Sequence, residues 1–105
     1  MDHTYHKVEL TPFESLDDFR WSLECGAEIV FEWNDNSFGA FKYMRKTPDS
    51  PEQYFVGPSD STRKQYPEKY EDYYADTVDE ILEYEIDGDK LRDIVTKITV
   101  TWRNL

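Results

Sequence analysis

A change of apolar period at Gly26 constrains this chain more than any other feature. Before it, Leu16, Phe19, Arg20 and Leu23 recur at helical spacing, the arginine stem being able to cover apolar surface. After it, Glu28-Ile29-Val30-Phe31-Glu32-Trp33 and Ser37-Phe38-Gly39-Ala40-Phe41-Lys42-Tyr43-Met44 are β-branched and aromatic runs around Asn34-Asp35-Asn36. Two such runs about an Asn/Asp turn predict a β-hairpin, with Ile29, Phe31 and Trp33 on one face. Helical spacing returns near Thr77. A helix, an antiparallel hairpin and further helices cannot alternate into a parallel βαβ sheet, so the expected class is α+β.

Punctuation sets the expected bounds. Thr11-Pro12-Phe13-Glu14 and Ser15-Leu16-Asp17-Asp18 are competing helix starts, and Gly26 is a stop; the first helix is expected at about 14–25. Gln53-Tyr54-Phe55-Val56 predicts a third strand, ended by Gly57-Pro58, and 58–68 has loop composition. Thr77-Val78-Asp79-Glu80 opens a short helix running to about Tyr84, and Asp87-Gly88 is a turn. Leu91, Ile94, Val95 and Ile98 predict a third helix over 90–98. Thr99-Val100-Thr101-Trp102 either continues it or forms a C-terminal strand. Residues 1–10 are expected as a loose lead-in, with a short strand at Lys7–Leu10. A chain of 105 residues is one domain.

Charge separates the function classes. There are 23 acids against 12 bases, a net −11. Free nucleic acid and anionic membranes are poor partners for such a surface, whereas a basic protein is a good one. The acid is also clustered: residues 68–93 hold eleven acids and three bases, while residues 34–67 hold four acids and five bases. No apolar run approaches the ~20 residues a membrane helix needs, and the N-terminus lacks signal-peptide character. A single cysteine cannot form an internal disulfide, so a cytoplasmic location is expected. Oligomeric state is not readable from these features.

Chemistry-bearing constellations are sparse. His3 and His6 are the only histidines, too few for a zinc site without cysteine partners, and no Ser-His-acid set can be assembled. The four glycines form no phosphate-cradling loop. Cys25 has no His, Lys or Arg within three residues to lower its pKa, and reads as a buried structural thiol. The expectation is a binding protein without cofactor or metal; an enzyme using Cys25 as nucleophile is the third reading. The segment from Tyr66 to Asp76 interleaves four tyrosines with four acids. Tyrosine is enriched at protein interfaces, and carboxylates facing Lys/Arg add on-rate and specificity. The expected partner-binding set is therefore Glu68, Glu71, Asp72, Tyr73, Tyr74, Asp76, Asp79, Glu80 and Glu83. The competing reading has the tyrosines in the core and the acids on a solvated face.

Two stretches carry a likeness: Gly26-Ala27-Glu28-Ile29-Val30-Phe31-Glu32-Trp33-Asn34, and Leu82-Glu83-Tyr84-Glu85-Ile86-Asp87-Gly88-Asp89-Lys90-Leu91-Arg92-Asp93-Ile94. They resemble segments of small acidic proteins of Gram-positive bacteria and their mobile elements. By size and acidity the chain also resembles phage anti-CRISPR proteins, some of which occupy the DNA-binding surface of Cas9. That likeness implies an inhibitor that blocks a CRISPR nuclease or another nucleic-acid-binding effector in the bacterial cytoplasm. An immunity protein against a nuclease-type toxin is the alternative. No site residue is carried over, because Gly26, Ile29, Phe31, Leu82, Gly88, Leu91 and Ile94 read as structural.

Overall fold

The computed structural model describes residues 11–43, 47, 49 and 52–104. His3, His6 and the strand expected at Lys7–Leu10 lie outside them. The first helix, α1 (Leu16–Glu24), settles the competition between its two starts: the Ser15 hydroxyl accepts from the Asp18 amide at 3.1 Å. Gly26 ends it at φ +91°, a left-handed conformation that glycine reaches without Cβ strain. Cys25 caps this end and is exposed, not buried as expected, because the cap position lies outside the apolar stripe of Phe19 and Leu23.

Strands β1 (Glu28–Trp33) and β2 (Asn36–Tyr43) pair antiparallel around Asn34 and Asp35. Both turn residues have positive φ, 52° and 64°, the geometry whose twist matches a two-residue hairpin. Strand β3 (Gln53–Pro58) pairs with β2, and β7 (Thr99–Asn104) with the other side of β1. The edge strand β4 (Tyr73–Ala75) completes an antiparallel sheet of order β4-β3-β2-β1-β7. Ile29, Phe31, Phe38, Ala40, Val56 and Val100 are buried on one face of it, in one core with Phe19 and Leu23 of α1. Val78 and Ile81 of α3 (Val78–Ile81) and Leu91 and Ile94 of α4 (Leu91–Ile94) join that core. The result is a two-layer α+β domain.

Three bounds differ from expectation. The loop expected over 58–68 holds a short helix, α2 (Asp60–Gln65), pinned where the Thr62 hydroxyl accepts from the Ser37 amide and donates to the Ser37 carbonyl, both at 2.9 Å. The helix expected to run to Tyr84 stops at Ile81. The helix expected over 90–98 stops at Ile94 and gives way to turns. Leu91, Ile94, Val95 and Ile98 are all buried nevertheless, so the period marked the core correctly while overstating the helix. The alternation from Thr99 onward wins as strand β7, because β1 needs a second ladder partner. A small hairpin, β5 (Glu85–Ile86) and β6 (Asp89–Lys90), turns at Asp87 and Gly88 between α3 and α4.

Candidate functional site

The acidic stretch does not lie flat on one surface. It rounds the free edge of β4, where alternation sends adjacent tyrosines to opposite sides. Tyr73 packs against the core and faces Tyr84, ring centroids 6.4 Å apart. Tyr74 points to the other side of the sheet and is 50% exposed. On the core side, residues 69–73 and 83–88 border an open cleft of about 510 Å³. Its lining acids are Glu71, Asp72, Glu83, Glu85 and Asp87, its aromatic walls Tyr70, Tyr73 and Tyr84, and its one base Lys69.

Hydrogen bonds hold the two banks. The Tyr84 hydroxyl donates to the Glu71 carbonyl at 2.7 Å. Burial pushes the Tyr84 phenol up to about 12, so it stays a donor across the physiological range. The Tyr70 hydroxyl donates to Asp87 at 3.0 Å and accepts from the Asn36 side chain at 3.2 Å. Asn34 donates to Asp87 at 3.1 Å, and the Lys69 ammonium lies 3.6 Å from it. The tip of the β1–β2 hairpin is thereby tied to the tip of the β5–β6 hairpin.

Asp87 carries a pH signature. Burial alone would raise its pKa, but hydrogen bonds from Asn34 and Tyr70 and the charge of Lys69 together bring it below the ordinary value of 3.8. A carboxyl depressed by folding stabilises the protein above its unfolded pKa, and that contribution is lost as pH falls through the folded value. Asp87→Asn should therefore be destabilising at neutral pH, and the difference from wild type should shrink steadily in acid. Denaturation curves with a pH-independent difference would contradict this role.

Of the nine residues expected from the sequence, Glu71, Asp72, Tyr73 and Glu83 line the cleft. The others are dispersed. Glu68 is exposed on the turn before the cleft. Asp76 and Asp79 border a second recess beside α1, where Arg20 bonds Asp79. Glu80 accepts from the Thr77 hydroxyl at the start of α3, so it serves the helix. Asp72 is paired with Arg63, and Glu83 lies 3.4 Å from Lys90 and 3.8 Å from Arg92. Glu68, Glu71 and Asp76 are exposed and have no ion-pair partner among the described residues. Tyr70, Tyr84, Glu85 and Asp87 line the cleft but were not expected there. All four lie within the acidic stretch 68–93, but nothing local marks Tyr84, Glu85 and Asp87 as neighbours of Glu71.

Among the described residues no group of His, Cys, Asp and Glu side chains converges as metal ligands would, and no helix is long and apolar enough to cross a membrane. No family model, curated protein or solved structure matches the chain. The geometry alone therefore bears on function.

Proposed function

We propose that this protein is an inhibitor that binds a basic, nucleic-acid-binding effector, with its acidic cleft and β4 edge set against the effector's phosphate-binding surface. The observation that carries the reading is the cleft itself: five carboxylates and three tyrosine rings converge on one opening with a single lysine. Such a site offers an incoming guanidinium or ammonium both charge and aromatic surface. Several acids nearby are already neutralised by Arg20, Arg63, Lys90 and Arg92. Those not so paired, Glu68, Glu71 and Asp76, leave net negative charge along the edge that a partner approaches. Phosphate-binding grooves are basic because nucleic acid demands it, so an acidic protein seated there excludes nucleic acid. The resemblance by type to anti-CRISPR proteins makes a CRISPR nuclease such as Cas9 the first effector to test, in the bacterial cytoplasm. The role is binding rather than catalysis, and it calls for no cofactor.

The experiment is a competition titration. A purified effector loaded with a fluorescent DNA oligonucleotide should release it as the protein is added. Formation of a ternary complex without release would refute occupation of the nucleic-acid surface.

A further inference from the structure

The turn that leads into the acidic stretch folds one of the protein's own cations onto an aromatic seat. Tyr66 caps the end of α2, and Pro67 fixes φ at the next position. The Lys69 amide donates to the Tyr66 carbonyl at 3.4 Å, closing a four-residue turn. The closure returns the Lys69 side chain over the turn itself. Its ammonium lies 4.9 Å from the centre of the Tyr66 ring, 5.2 Å from that of Tyr70 and 3.6 Å from the Asp87 carboxylate. Two ring faces and one carboxylate thus converge on a single point, on the border of the cleft that Lys69, Tyr70 and Asp87 line.

Two walls of this seat are fixed, and its occupant is not. The Tyr70 ring meets Phe38 edge-on at 5.1 Å, and its hydroxyl bridges Asp87 and Asn36 at 3.0 and 3.2 Å. Asn34 holds Asp87 from the other hairpin. Lys69, by contrast, has a side chain 48% exposed, and its 3.6 Å separation from Asp87 is longer than a hydrogen bond. Exposed ion pairs of this kind contribute little, so the ammonium leaves at low cost. An ammonium brought by a partner makes the same contacts in its place. The convergence also selects among cations. A compact ammonium faces both rings and the carboxylate at once, whereas a planar guanidinium stacks flat on one ring.

We infer that Tyr66, Tyr70 and Asp87 form a lysine subsite of the acidic cleft, which Lys69 fills in the free protein and vacates when a lysine of the basic partner enters. The inference rests on the proposed function for the partner's charge, and adds the side chain that enters and the group it displaces. Lys69 therefore opposes partner binding by occupying the subsite as well as by its charge.

The test is calorimetric titration of the full chain with decameric lysine and decameric arginine peptides, for wild type, Lys69→Met and Lys90→Met. Methionine keeps an apolar stem and removes the charge. Lys90 lies 3.4 Å from Glu83 of the same cleft and over no ring among the described residues, so its variant sets the purely electrostatic baseline. Lys69→Met is expected to bind the lysine peptide about fivefold more tightly than Lys90→Met does, with no such gain for the arginine peptide. Adding Tyr66→Ser to Lys69→Met is expected to abolish the gain; that ring is 36% exposed, so the fold is retained. Equal affinities of the two lysine variants, an equal gain for the arginine peptide, or a gain that survives Tyr66→Ser overturns the subsite, while salt-sensitive binding of the peptides leaves the acidic-cleft reading standing. Binding of neither peptide by any of these proteins overturns both.

Discussion

Phe31→Ala is expected to lower the free energy of unfolding by about 3–5 kcal/mol. Phe31 is fully buried at the middle of β1, the strand flanked by both β2 and β7. Its register partners are Phe38 and Val100, and its ring stacks on Phe38 at a centroid distance of 5.7 Å. Truncation removes the apolar area and leaves a cavity that a sheet laddered on both sides cannot close. The ladder on the β7 side already shifts register between Val30 and Phe31, so the strand has little further freedom there. A loss of that size is a large share of the stability of a domain this small. The midpoint of chemical denaturation should fall with its slope unchanged. A midpoint equal to wild type would contradict the placement of Phe31.

The hairpin and its core face were legible because period and turn chemistry agreed: Asn34 and Asp35 accept positive φ, and Ile29 and Phe31 stand at alternate positions flanked by Glu28 and Glu32. The capping at Ser15 and Thr77 was legible for the same local reason. Helix α2 was not, because Asp60–Gln65 has no apolar stripe and buries only Thr62. The end of α4 was hidden by buried residues that satisfy helical spacing while belonging partly to turns. Pairing of β7 with β1 spans some seventy residues of chain, for example Val30 with Trp102, and no local pattern encodes it.

The candidate site divides along the same line. That residues 68–83 mix tyrosines with acids is plain in the sequence. Which tyrosine faces which side depends on the register of three residues of β4 against β3, with Val56 opposite Tyr73 and Phe55 opposite Tyr74. Phe41, Tyr43, Phe55 and Tyr74 come from three strands, and their rings meet only through that register. Among the expected acids, internal cations hold Asp72, Asp79 and Glu83. Sequence shows charge but not which charges are already paired.

Glu68, Glu71 and Asp76 are therefore the residues on which the central claim turns, and replacing them together with Gln, Gln and Asn is expected to slow association with the basic effector about tenfold or more. Their side chains are exposed and make no ion pair among the described residues, so the fold should be retained. Exposed charges on an approach surface act mainly through steering, which appears in the association rate and weakens as salt screens the field over ~8 Å at physiological ionic strength. The measurement is surface plasmon resonance against the effector at low and at physiological salt, for wild type and the triple variant. A wild-type association rate that falls steeply with salt, and a triple variant that is slower and less salt-sensitive with little change in dissociation, is the predicted result. Equal association rates for the two proteins at low salt would show that the acidic edge is a solvated surface with no part in recognition.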